Sequence, residues 1–213
     1  MVTASLGGPG LVAECLTVRF GATVAVDNVS LSVGPGEIVA LVGPSGCGKS
    51  TLLRLLAGAL TPQRGQLHIN CIDLQTHPAE YQAQVFWAEP RSDAFDQLRV
   101  QDYFEIQRSR YAGFNDRLLP GMIEGLGLQD HLYKQLFMLS TGSKRKVFLA
   151  AAFASGAPVA LLDEPFASLD AVSIGFLVRL LKIAAHVKNR SFVLADYVAP
   201  DGLLFTQTID LGD

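Results

Sequence analysis

Residues Leu139 to Asp170 read LSTGSKRKVFLAAAFASGAPVALLDEPFASLD. A Ser-Thr-Gly turn opens a helix over Ser140 to Ala154, with Ser140 at its cap and an anion-favouring N-terminus beside it. Ser155-Gly156 and Pro158 break that helix. An apolar strand from Val159 follows and ends in Asp163-Glu164, and Ser168-Leu169-Asp170 makes a tight turn. A carboxylate at the end of a buried strand is unfavourable unless it meets a cation, and Mg²⁺ held through water is the natural partner of Asp163. Glu164 comes next and is placed to polarise a water.

A second motif lies upstream. Ile38 to Val42 is a purely apolar strand, and Gly43-Pro44-Ser45-Gly46-Cys47-Gly48-Lys49-Ser50 after it fits G-x-x-x-x-G-K-[ST] without a gap. Thr51 and a leucine-rich helix over Leu52 to Leu60 follow. A glycine-rich turn before a helix lets backbone N–H groups approach phosphates, and the helix dipole favours their charge. Lys49 is expected to reach the β- and γ-phosphates, and the Ser50 hydroxyl to coordinate Mg²⁺. The alternative is an accidental glycine-rich turn, against which the strand before it and the leucine-rich helix after it weigh.

Around these motifs the chain changes character twice. Leu11 to Val33 alternates in β fashion about a turn at Gly21, and Gly34-Pro35-Gly36 separates it from the apolar strand. Thr61 to Gly65 is a breaker, and Gln66 to Ile72 reads as a strand. From Pro90 to Gly156 the sequence is polar and helix-like, with an amphipathic run at Val100 to Tyr111 and a glycine-rich patch at Gly121 to Gly127. Strand and helix patterns then return: Val159 onward, Ala171 to Val187, Ser191 to Ala195, and a last strand near Phe205 to Leu211. The fold class expected is α/β, a P-loop NTPase core with an N-terminal antiparallel β subdomain and an inserted α-helical subdomain. One domain covers 1–213, with 11–89 and 157–213 as core and 90–156 as the helical insertion.

Composition narrows the partners. Seventeen basic against twenty acidic residues leave a net charge of −3, which implies no basic face for nucleic acid, although a local patch can hide within that sum. Cys15, Cys47 and Cys71 are odd in number and widely spaced, as in a reduced cytosolic protein without a disulfide framework. No apolar run reaches membrane-spanning length, and the first ten residues lack the charged and apolar regions of a signal peptide.

The order GPSGCGKST, LSTGS, LLDEP, SLD resembles the nucleotide-binding subunit of ATP-binding cassette (ABC) transporters, over about Leu11 to Asp213. The LSTGS signature ahead of LLDEP separates that family from other P-loop NTPases. The resemblance implies two cassettes, alike or different, sandwiching two ATP molecules head to tail. Ser140 and Gly142 of one chain then contact the γ-phosphate of ATP bound to the other. Lys144, Arg145 and Lys146 either add positive charge for that phosphate or form a solvated basic face. Ser168 and Asp170 match the loop that carries information across the dimer. Phe20 aligns with the aromatic that stacks on adenine, or is a core Phe. The chain itself supplies the peripheral ATPase on the cytoplasmic face of the cell membrane. Separate transmembrane permease subunits dock near Glu89 to Leu98.

Four positions depart from the family pattern. In the signature, Thr141 stands for a Gly and Ser143 for the Gln. Glu89 aligns with a metal-touching Gln, bringing a charge and losing an amide donor. Asp196, after the strand SFVLA, aligns with a His that bonds the γ-phosphate, and an ionised carboxylate has no donor to offer. It is protonated, orients a water, slows the site, or turns away. Since Lys49, Asp163 and Glu164 are intact, a working and slow ATPase is expected. The signature style points to export, and a nucleotide-gated dimerising scaffold with little turnover is the alternative.

Overall fold

The alternating N-terminal segment folds on itself. In the computed structural model, which describes residues 10–88 and 93–212, β1 (Leu11–Phe20) and β2 (Thr23–Val33) form an antiparallel hairpin with Phe20 opposite Thr23. The apolar strand β3 (Ile38–Val42) and helix α1 (Lys49–Leu56) follow, and then β4 (Arg64–Ile69) pairs with the free edge of β1. A short β5 (Ile72–Asp73) closes this antiparallel sheet, whose order is β2-β1-β4-β5.

Helix α2 (Pro78–Ala83) and strand β6 (Val85–Trp87) lead to three helices: α3 (Val100–Arg110), α4 (Leu119–Gly125) and α5 (Thr141–Ala154). The chain then returns as β7 (Val159–Asp163), α6 (Ala171–Val187), β8 (Ser191–Ala195) and β9 (Gln207–Asp210). The second sheet has the order β6-β7-β8-β3-β9, and all of its pairings are parallel.

Side chains of successive strand residues point to opposite faces, so a sheet covered on both sides is apolar throughout. The central strands show this. Val39, Leu41, Val159, Leu161 and Val193 join the core under the antiparallel sheet and α1, whereas Ile38, Ala160, Leu162, Phe192 and Leu194 join the core shared with α3 to α6. Because β3, β7 and β8 run parallel as neighbours, their carboxyl ends meet at one sheet edge, with Leu41 and Asp163 both in register with Ala195. In open α/β sheets that edge is where ligands bind. No helix among the described residues is long and apolar enough to cross a membrane.

Four local readings change. The helix expected over Leu52 to Leu60 runs from Lys49 to Leu56, since Gly58 at φ 66° turns the chain out of it. The strand expected over Gln66 to Ile72 is a hairpin. Asn70 and Cys71, at φ 51° and 69°, form a two-residue turn of the kind that matches strand twist, and Ile69 then faces Ile72. The glycine-rich patch at Gly121 to Gly127 is largely helix α4, which buries Leu119 and Met122 against α5. Helix α2 has no strong apolar period to mark it in the sequence; buried Tyr81, whose hydroxyl donates to Leu56 O at 2.8 Å, fixes it.

Candidate functional site

The loop from Gly43 to Gly48 leaves the end of β3 and returns as α1. Gly48 caps α1 at φ 103°, and a Cβ there would stand 2.1 Å from the Ala25 carbonyl oxygen, so only glycine fits. Pro44, Ser45 and Gly46 are exposed, Cys47 is half-buried, and Cys47 N–H donates to Pro44 O at 3.4 Å. Lys49 is 7% exposed. Its ammonium donates to the carbonyl oxygens of Gly43 at 2.5 Å and Pro44 at 2.8 Å, inside the curve of the loop. A cation so buried among neutral acceptors is prepared to exchange them for anionic oxygens.

The next residue, Ser50, donates its hydroxyl to Asp163 Oδ2 at 2.7 Å, joining the start of α1 to the end of β7. Two hard oxygen ligands in contact, facing an anion-binding loop, suit a small divalent cation. No group of three or more His, Cys, Asp or Glu residues that could hold a metal lies among the described residues. Thr51 continues the first turn of α1 and is half-buried.

Glu164 has φ 46°, and its N–H donates to Ala195 O at 2.8 Å, fixing the carboxylate-bearing residue at the end of β8. Its Oε2 lies 3.9 Å from Nη2 of Arg145, whose side chain is only 11% exposed. Arg145 Nη1 also donates to Ala167 O, while its buried Nε has no hydrogen-bond partner among the described residues.

Ser140 caps α5 and accepts from Ser143 N–H at 3.1 Å, and the two hydroxyls are 3.0 Å apart. Thr141 enters the helix as its first residue at negative φ, so its loss of freedom relative to Gly does not matter here. Gly142 is pressed against the Ser168 carbonyl: a Cβ would come within 2.2 Å of that oxygen. The three basic residues that follow form neither a solvated face nor a free phosphate cluster. Lys144 pairs with Asp96, Arg145 with Glu164, and Lys146 with Asp170 at 2.5 Å. Asp170 also caps α6 through Ser173. The Lys146 ammonium, then the Ser173 N–H and hydroxyl, hold its carboxyl far below the usual range.

Asp196 continues β8 by one step, its N–H donating to Leu41 O at 2.9 Å, and its own Oδ1 accepts from Tyr197 N–H at 2.8 Å. Burial pushes its carboxyl above the usual range, and the nearby Glu164 carboxylate adds to that against the Tyr197 N–H, Lys49 and Arg145. Tyr197, to which the motifs give no role, lies with its ring 5.0 Å from Lys49 Nζ. Phe20 ends β1 at the hairpin tip and is 52% exposed, so it is not a core residue. Glu89 lies outside the described residues. The sheet edge thus gathers Lys49, Ser50, Asp163, Glu164 and Asp196, while Ser140 and Gly142 stand on α5 against the 168 turn. The link from Arg145 to Glu164 was missed, because a basic run in sequence does not show which acid each side chain meets.

The profile of a family described as ABC transporter matches residues 26–167. Among relatives, an ATP-binding protein of Salmonella typhimurium, whose name assigns it to 2-aminoethylphosphonate import, is 34% identical over 172 residues, covering 79% of this chain and 46% of that protein. The chain therefore spans about half the length of that relative. A taurine import ATP-binding protein of Jannaschia is 30% identical over 212 residues, covering 94% of this chain and 76% of the relative. Among solved structures, one described as the ATP binding subunit of an ABC transporter superposes with a TM-score of 0.80 at 27% identity, covering 88% of this chain and 79% of that one.

Proposed function

The chain belongs to the ABC transporter family, and from that premise we propose that it binds and hydrolyses ATP for a transporter whose transmembrane permease subunits are separate chains. The observation that carries the reading is the 2.7 Å hydrogen bond from Ser50 to Asp163. Lys49 and Glu164 adjoin that pair, so a phosphate-binding ammonium, two metal-binding oxygens and a base share one edge.

In this reading ATP enters the loop Gly43 to Thr51, and Lys49 exchanges the carbonyls of Gly43 and Pro44 for phosphate oxygens. Mg²⁺, held by Ser50 and Asp163, supplies neutralisation of phosphate charge when bound. Glu164 accepts the proton of the attacking water. Phe20 stacks on adenine, and Glu89 is a further oxygen donor for the metal. Ser140 and Gly142 serve ATP held by a second cassette, so the working unit is a homodimer or heterodimer. Helices α3 to α5 form the helical subdomain, and the permease docks on the segment reaching Leu98. The chain then sits peripherally on the cytoplasmic face of the membrane. The direction we assign is import, against the export suggested by signature style, because both relatives described above are named for import.

ATP turnover by the purified chain tests the reading. Glu164→Gln should slow it about a hundredfold or more while ATP still binds. Lys49→Ala should lose most of the binding. A wild type that binds ATP yet is as slow as Glu164→Gln would overturn the enzyme and leave a nucleotide-gated scaffold.

A further inference from the structure

We propose that Tyr197 is a substrate-contacting residue of this site, its phenol donating a hydrogen bond to the γ-phosphate of ATP held by Lys49. The assignment rests on the nucleotide reading above and adds to it a donor that the family motifs do not supply here.

The argument begins with Asp196. Its N–H prolongs the pairing of β8 with β3 through Leu41 O, and its carboxylate folds back to take the Tyr197 N–H at 2.8 Å. That carboxylate is engaged with its own backbone and, when ionised, has no proton to donate. The same turn directs the next side chain over the phosphate loop. The ring centroid of Tyr197 stands 5.0 Å from Lys49 Nζ, the ammonium that meets phosphate oxygens.

Packing does not account for this position. Tyr197 is 54% exposed and belongs to neither hydrophobic core, so burial contributes little to holding the ring there. What it meets is a buried cation, and a ring over an ammonium is attracted to it electrostatically. A phenol also carries an O–H donor on its rim. When phosphate draws Lys49 away from Gly43 and Pro44, a ring already beside that ammonium can turn its O–H toward the same oxygens. Both groups then address the terminal phosphate, and a nucleotide lacking that phosphate meets only Lys49.

The test is the ratio of ATP to ADP affinity, measured by displacement of a fluorescent nucleotide in the presence of Mg²⁺. A Glu164→Gln parent keeps ATP intact during the titration. Tyr197→Phe should weaken ATP about tenfold, as expected for one hydrogen bond to a charged group, and leave ADP unchanged. Tyr197→His, which restores a donor, should recover most of the loss. The unchanged ADP affinity also reports that the variants are folded. A Phe variant with the parent's ATP to ADP ratio overturns the assignment, whether both affinities hold or both fall together. A parent that binds neither nucleotide overturns the proposed function, and this assignment with it.

Discussion

Arg145 Nη2 lies 3.9 Å from Glu164 Oε2, joining the early turns of α5 to the residue that follows β7. The same guanidinium donates to Ala167 O, Lys146 one residue on pairs with Asp170, and Gly142 packs on Ser168. The start of α5 and the segment 164–170 are therefore tied at successive points. A shift of the start of α5 is expected to displace the carboxylate of Glu164. If, as proposed, a second chain's ATP meets α5 and Glu164 is the base, that is a mechanical route between them.

Arg145 should accordingly be a positioning residue. Arg145→Ala is expected to lower kcat about tenfold, the scale of a misplaced catalytic group, with ATP affinity nearly unchanged. Arg145→Lys should restore part of the rate. Steady-state kinetics beside nucleotide titration read the split; a fall in affinity with kcat intact would refute the role.

Gly142→Ala tests the neighbouring contact. Its Cβ would stand 2.2 Å from Ser168 O, so the backbone of α5 or of the 168 turn must shift. A loss of roughly 1–3 kcal/mol in denaturant unfolding is expected for such overpacking. ATP-dependent dimerisation, followed by size-exclusion chromatography, should fall with it, while binding at the chain's own phosphate loop persists.

The sequence carried most of the framework because periodicity and special residues act locally. The helix Ala171 to Val187 and the strand Ser191 to Ala195 emerged with the limits expected of them. What escaped depended on partners far along the chain. Nothing local shows that Asn70-Cys71 turns one strand into two, since that needs both residues at positive φ. Nor does the run Lys144 to Lys146 reveal that its charges meet Asp96, Glu164 and Asp170, at sequence separations of 48, 19 and 24. The phosphate loop was legible, since its chemistry needs glycine, lysine and serine at fixed spacing. Tyr197 was not, since its place over Lys49 follows from how β8 ends.

Asp196 should make stability depend on pH. Burial raises its carboxyl above the usual value of about 3.9, so the folded chain binds this proton more tightly than the unfolded chain. Its contribution is full below the unfolded value and is lost as pH rises through the raised one. Asp196→Asn, which still accepts from Tyr197 N–H, should therefore raise Tm at pH 7.5 and give a smaller gain at pH 4. An equal gain at both values would show that the carboxyl titrates alike in both states.

Arg190 should matter most for stability although it lies outside the nucleotide site. It is 8% exposed, and its guanidinium donates to the carbonyls of Ala157 at 2.7 Å and of Phe153 and Ala152 at 2.8 Å, and to the Ser155 hydroxyl at 3.2 Å. The Ala152 and Phe153 carbonyls lie in the last turn of α5 and Ala157 in the loop beyond it, so one side chain ties the end of the helix to the start of β8. Burial lowers its pKa to about 10, which still leaves it charged at pH 7. Arg190→Ala strands several buried acceptors and should cost about 3 kcal/mol or more. For a chain of this size that is a fall of roughly 6–12 °C in Tm, read by calorimetry or circular dichroism. Arg190→Lys keeps the charge but reaches fewer carbonyls and should fall between the two. Below its lowered Tm, Arg190→Ala should bind ATP as the wild type does; an alanine variant as stable as wild type would remove Arg190 from the account of how α5 is held.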